Sequence, residues 1–223
     1  MKKNIIKSMM KILLMINTSL FIISFSFAFI ILFRPFYYYQ IKSLDLEKET
    51  GYTYYEIKEA YDNVLDYLVL NKPFKTGKFK YSEEGKSHFK DCKILFIIDF
   101  IILGISTIIL IIKKIFFNKE KIFNHSIEFI SSISILILII FLLLIVLIIG
   151  FDKSFDLFHN IFFLGKSNWL LDPDYDEIIN ILPIEYFMNC CIFILSEIGI
   201  ISLFIIIKEL VFNNKKLHIK FIK

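Results

Sequence analysis

Four apolar runs, at roughly residues 12–33, 94–112, 127–149 and 187–207, constrain this chain more than anything else in it. Each is long enough to cross a hydrocarbon core of ~30 Å at a rise of ~1.5 Å per residue. Each is built mainly from Ile, Leu and Phe, and none contains proline. Isoleucine is a middling helix former in water, but lipid offers no partners for backbone N–H and C=O groups. A lone run of this length therefore closes its own hydrogen bonds as a helix. With 57% hydrophobic residues the chain is too apolar for a soluble domain. The expected fold is an all-α integral membrane protein with four transmembrane helices, residues 1–223 forming one membrane domain.

The first run follows Lys2, Lys3, Lys7 and Lys11, and Ser26-Phe27-Ala28 has the look of a signal-peptide cleavage site. Its apolar stretch outruns the ~7–15 residues of a signal h-region, so it is read as an uncleaved anchor. Lysines set the expected orientation. Four lie in the N-terminal tail, four in the connector Lys113–Lys121, and five beyond the last run (Lys208, Lys215, Lys216, Lys220, Lys223). The loop after the third run has only Lys153 and Lys166. The positive-inside rule then puts both termini in the cytoplasm and segments 34–93 and 150–186 outside the cell membrane. Segment 34–93 holds eleven basic residues against ten acidic ones, but long segments translocate largely regardless of charge. The net charge of +4 is thus a topology signal, with no nucleic-acid partner implied.

Both outer segments are expected to carry short interfacial helices. In the first, Phe36 to Tyr39 form an aromatic cluster suited to the headgroup level. Thr53-x-x-Glu56 reads as a capping box, followed by Ile57, Ala60, Tyr61, Val64, Leu65 and Leu68 at helical spacing. Asn71-Lys72-Pro73 ends that helix, and Ser82 caps another that runs into the second span. In the second segment Ser154 is expected to cap a helix carrying His159. Asp172-Pro173 reads as a further helix start, with aspartate at N-cap and proline at N1. Cys92, Cys190 and Cys191 match no disulfide or zinc pattern and read as small apolar fillers.

The chemistry-bearing groups concentrate in these segments. On a helix, Glu84 and Asp91 would share the face of His88, so either carboxylate could hold one ring nitrogen. His159 stands among phenylalanines, near the only tryptophan, Trp169. Topology brings both histidines to one mouth of the bundle, which favours a catalytic pair over two solvated interfacial side chains. No His-x-x-x-His pair or third ligand supports a metal. Asp99, Glu128 and Glu197 lie within the spans, where carboxylates face the bundle interior. Glu128 sits at a helix end and can reach water; Asp99, below His88, is the better functional candidate. With no phosphate loop or serine elbow, one substrate group is expected to attack another directly, helped by histidine.

Two motifs carry a family resemblance. Ser82-Glu83-Glu84 followed by His88-Phe89-Lys90-Asp91 resembles an S-E-x…H-M-x-D-V element. Phe158-His159, Phe162-Phe163, Trp169, Asp172-Pro173, Asp176, Ile178-Ile179, Leu182-Pro183 and Phe187 resemble F-H…F-F…W-x-x-D-P-x-x-D-x-L-I…F-P…F-F. The pattern is that of the lipoprotein intramolecular transacylase (Lit) family of four-helix bacterial membrane proteins, departing from it at Phe89 and Cys92. The resemblance implies a diacylated bacterial lipoprotein as substrate and membrane lipid as surroundings. It implies transfer of the sn-2 acyl chain of the diacylglyceryl-cysteine to that cysteine's own α-amine. His88 and His159 would be catalytic, in the roles of base and oxyanion stabiliser in either order. Glu84, Asp91, Asp99, Trp169, Asp172 and Asp176 would support them, with no cofactor required. The alternative is a membrane-interface esterase or protease using the same histidines.

Overall fold

A computed structural model describes the backbone of residues 2–116 and 126–221. In chain order its helices are α1 (Lys2–Leu32), α2 (Arg34–Ser43), α3 (Leu46–Thr50), α4 (Tyr54–Leu70), α5 (Glu83–Phe116), α6 (Ser126–Ile149), α7 (Phe151–Phe162) and α8 (Ile184–Phe221). A 3₁₀ turn, Glu177–Ile181, precedes α8. Among the described residues four helical stretches are long and apolar enough to cross a membrane: Asn4–Leu32, Glu83–Phe116, Ile127–Ile149 and Ile184–Val211. This is the four-helix membrane protein the apolar runs predict. Its outward side chains include Ile137, Leu147 and Phe204, all exposed, a surface that lipid covers and water would not tolerate. The start of α5 is different. Glu83, Glu84, Lys86, Lys90, Asp91 and Lys93 keep its first turns out of the hydrocarbon, which begins near Ile94.

The chain divides into two compact units. One comprises Met1–Phe27, Phe100–Leu144 and Ile194–Lys223. Its helices meet through buried small polar residues, the usual means of close approach in lipid. Asn17 donates to the Ser106 carbonyl at 3.2 Å, and the Ser131 hydroxyl lies 3.0 Å from the Met15 carbonyl. Glu128 pairs with Lys113. Connector residues Lys119 and Lys121 and the terminal Lys223, which contribute to the orientation reading, lie outside the described residues. So do the side chains of Lys2, Lys3, Lys215, Lys216 and Lys220.

The other unit comprises Ala28–Asp99 and Ile145–Phe193 and has its own apolar core. The Thr53 capping box is present: Thr53 Oγ1 accepts from the Glu56 N–H, and the Glu56 carboxylate accepts from the Thr53 N–H. The buried face of α4 is Ile57, Ala60, Tyr61, Val64, Leu65 and Leu68, and Asn71 ends the helix in the left-handed region, all as the spacing predicts. Ser82 caps α5, its Oγ accepting from the Gly85 N–H at 2.9 Å. Arg34 binds Asp62 and Asp66, joining the start of α2 to α4.

Three local expectations are corrected. The aromatic cluster at Phe36–Tyr39 belongs to a helix, and Tyr37 is fully buried, its ring stacked on Tyr61 at 3.7 Å. Core packing outweighs the interfacial preference of tyrosine there, because its hydroxyl finds a buried acceptor, the Ile181 carbonyl, at 2.7 Å. α7 starts after Gly150 and not after Ser154, whose hydroxyl instead bonds back to the Gly150 carbonyl at 2.7 Å. Asp172 caps no helix. Its carboxylate accepts from the Asp174 N–H at 2.9 Å, and its carbonyl accepts from Tyr175 and Asp176, closing a turn. The three cysteines are free thiols.

Replacing Tyr37 with phenylalanine keeps the ring stack but orphans the buried Ile181 carbonyl. A loss of about 1–3 kcal/mol is expected, read as a lower melting temperature in detergent. An unchanged melting temperature would show that this bond holds nothing together.

Candidate active site

Ser82, the cap residue of α5, receives a second partner from far along the chain. Asp176 is almost wholly buried, and its carboxylate accepts from the Ser82 N–H at 2.7 Å. Its two oxygens also lie 3.0 and 2.8 Å from the Ser82 hydroxyl. A carboxylate at a helix N-terminus satisfies orphan donors and complements the positive end of the helix dipole. Space for it exists only because residue 85 is glycine: a Cβ there would stand 2.0 Å from Asp176 Oδ1. Next to it, Glu177 accepts from the Lys80 N–H at 2.9 Å and pairs with the Lys80 ammonium at 3.1 Å. Segments 34–93 and 150–186 are thus pinned together about a turn and a half ahead of His88.

The same pinning brings the histidines face to face. Their ring centroids are 5.8 Å apart with 36° between the planes, and both side chains are buried. Phe163 packs edge-on to His88 at 5.0 Å, Phe155 lies 4.2 Å from His159, and Trp169 lies 4.9 Å from it. Leu157, Phe158, Ile161 and Phe162 of α7 are exposed, so the helix turns its histidine inward and an apolar side outward.

A hydrogen-bond partner assigns the tautomer of His159. His159 Nδ1 lies 2.8 Å from the Phe155 carbonyl, which can only accept, so Nδ1 carries the proton and Nε2 has a free lone pair. His88 Nε2 lies 3.5 Å from the Cys92 thiol, and its Nδ1 is buried with no partner. A neutral thiol can donate or accept; where it donates to Nε2, the hydrogen of His88 sits on the unpaired Nδ1. Burial pushes His88 down to about 4, the nearby His159 adding to the effect. Burial also lowers His159, against the opposing pull of its bond to Phe155. Both rings are neutral at pH 7. His159 offers a base, and His88 an unpartnered nitrogen beside it.

The supporting residues divide. Neither Glu84 nor Asp91 hydrogen-bonds His88, as the helix spacing predicts one of them would. Asp91 turns instead to the second segment, pairing with Lys166 at 2.6 Å and accepting from Asn168 at 3.0 Å. Burial opposes the Asp91 charge, but those two bonds outweigh it and hold the carboxyl below its usual range. Asp91 therefore anchors the strap that carries Trp169, whose indole N–H donates to the Lys166 carbonyl at 3.2 Å. Glu84 is exposed at an adjoining cleft. Asp99, eleven residues beyond His88, lies ~16 Å further along the same helix and outside the histidine pair. Asp172 only closes its turn. The spacing placed His159 beside Phe163, as found, but missed the Cys92 contact, the packing of Phe163 on His88, the enclosing Phe155, and the Lys166–Asn168 anchor.

Among the described residues no group of three His, Cys, Asp or Glu side chains is arranged to hold a metal ion. The pair suits proton transfer to and from a substrate that brings its own nucleophile.

The family model described as "Lipoprotein intramolecular transacylase Lit" matches residues 12–187. The structure is similar to the membrane-integral lipoprotein intramolecular transacylase Lit from Bacillus cereus, with a TM-score of 0.88 and 26% identity over 96% of this chain and 99% of that one. It is also similar to a histidine-to-arginine variant of that protein, with a TM-score of 0.82 and 25% identity over 97% and 96% of the two chains. No curated protein matches.

The carboxylate under Gly85 makes a double test. Gly85→Ala should lower the melting temperature in detergent by driving Asp176 off its cap, at a cost of about 1–2 kcal/mol. Adding Asp176→Ala should cost less than the sum of the single effects, because the clash is gone. Strict additivity would mean that the two residues do not meet.

Proposed function

Because the chain belongs to the lipoprotein intramolecular transacylase family of membrane acyltransferases, we propose that its histidine pair moves the sn-2 acyl chain of a diacylglyceryl-cysteine lipoprotein onto the cysteine's α-amine. The observation that carries this reading is the open Nε2 of His159 beside the buried, unpartnered Nδ1 of His88. The amine nitrogen attacks the ester carbonyl carbon, forming the C–N bond, and His159 Nε2 takes the proton that nitrogen sheds. The His88 Nδ1–H donates to the carbonyl oxygen as it becomes an oxyanion. Collapse breaks the bond to the sn-2 oxygen, which receives the proton from His159 and leaves as a hydroxyl on the lyso-form lipoprotein. Atoms balance within one molecule, and ester-to-amide exchange is downhill.

The transition state closes an eight-membered ring through N, Cα, Cβ, S, two glycerol carbons, the ester oxygen and the carbonyl carbon. Such a ring closes reluctantly in solution, so holding its ends together is the main contribution asked of the protein. The rings of Phe155, Phe163 and Trp169 support transfer over hydrolysis, because they shut water away from the pair. The lysine bias supports cytoplasmic termini and a reaction on the outer face of the bacterial cell membrane.

His88→Ala and His159→Ala should each slow formation of lyso-form lipoprotein by about 10²–10⁴-fold, read by mass spectrometry of lipoprotein N-termini. Transfer leaves the lipoprotein mass unchanged, whereas an esterase would shorten it by one acyl chain and release fatty acid. Wild-type rates from either variant would remove that histidine from the reaction.

The lowered histidine pKa values set a pH dependence. A base whose pKa is lowered keeps its lone pair to lower pH, so neither ring changes state between about pH 6.5 and 8. Across that window kcat/KM should rise with the fraction of neutral substrate amine, whose ordinary pKa is ~8. A step near 6.5 that disappears in His159→Gln would contradict the neutral-base assignment.

A further inference from the structure

A cleft of about 380 Å³ opens beside the histidine pair, between the first turn of α5 and the strap that follows α7. Glu84, Ser167, Asn168, Leu171 and Tyr175 are among its lining residues. Neither histidine lines it, but residues close to each of them do. Glu84 is one helical turn, ~6 Å, from His88. Asn168 neighbours Trp169, whose ring lies against His159. Its walls are unlike the apolar outer side of α7, and one polar atom there is unspent. Asn168 Oδ1 is buried without a hydrogen-bond partner, although its amide nitrogen donates to Asp91. A buried orphan acceptor is costly unless a ligand N–H reaches it.

We propose that this cleft holds the polypeptide of the substrate, namely the two or three residues that follow its lipid-bearing cysteine. The assignment rests on the transacylase reading. Three chains leave the reacting centre: two acyl chains and the polypeptide. Acyl chains gain nothing in a polar cleft, and a peptide backbone entering hydrocarbon would strand its N–H and C=O groups. The polar exit therefore belongs to the peptide. Distances agree, since an extended chain advances ~3.4 Å per residue, so the second residue beyond the cysteine lies ~7 Å on, level with Glu84 and Asn168. Turned out toward the cleft, Asn168 Oδ1 takes one of its backbone N–H groups, a contact that reads no side chain and so accepts many lipoprotein sequences.

The test uses the purified full-length chain in detergent and two synthetic substrates. One is a dipalmitoylglyceryl-cysteine amide; the other carries the same lipid on Cys-Gly-Ser-Ala amide. In the wild type kcat/KM should favour the peptide by about fivefold, the worth of one net hydrogen bond. Leu171→Trp, which fills the cleft, should bring that ratio close to one. An equal rate on both substrates in the wild type, or a preference retained in Leu171→Trp, would overturn the proposal. If Leu171→Trp does not fold, a benzophenone at the third substrate residue decides with the wild type. Cross-links should fall in residues 82–84 and 167–175, and cross-links confined to the membrane spans would overturn the assignment. Failure of both substrates to react would instead refute the transacylase reading.

Discussion

The buried carboxylate of Asp176, seated on the Ser82 N–H and hydroxyl at the start of α5, is the contact on which the site depends. It joins two segments more than ninety residues apart and does so ahead of the helix that carries His88. A carboxylate there serves three needs together: it caps orphan donors, meets the positive end of the helix dipole, and is itself paired and therefore tolerable when buried. Gly85 leaves the room it needs. Glu177 on Lys80, and Tyr37 on the Ile181 carbonyl, repeat the tie on either side of it. Together with the Asp91 ties to Lys166 and Asn168, these anchors hold His159 against His88.

Enclosure then decides what the histidines are. An exposed pair of imidazoles titrates near neutrality and loses its base in mild acid. Buried between Phe155, Phe163 and Trp169, both rings are held neutral, and each has one nitrogen committed to a fixed partner. The remaining nitrogens are the open Nε2 of His159 and the unpartnered Nδ1 of His88. On the proposed reading the two side chains take complementary roles. Asp91 would have blurred that distinction by drawing a proton onto His88. Its charge is instead spent on Lys166 and Asn168, where it fastens the strap over the site.

Features that depend on near neighbours in the chain could be read from the sequence: the four spans, the Thr53 capping box, the buried face of α4, and the Ser82 cap. The motif around His88, and that running from Phe158 to Phe187, carried the family likeness. Readings failed where a local preference met a stronger distant partner. Tyr37, read as an interfacial side chain, is buried in a stack on Tyr61. Cys92, read as filler, touches His88. Asp172 spends its carboxylate on a turn, and the true anchor is Asp176, four residues on.

The sequence by itself determined the solvent of each segment. Unbroken apolar runs leave lipid as the only stable surroundings for four helices, and charge keeps the intervening segments in water. Helical period and cap chemistry likewise set where α4 and α5 begin, because those forces act within a turn or two. Only the tertiary structure decided which polar group meets which. His88 could have bonded Glu84 or Asp91 on its own helix, and Asp176 could have remained a solvated loop residue. Burial settled both, since a desolvated charge or donor takes whichever partner the packing brings within reach.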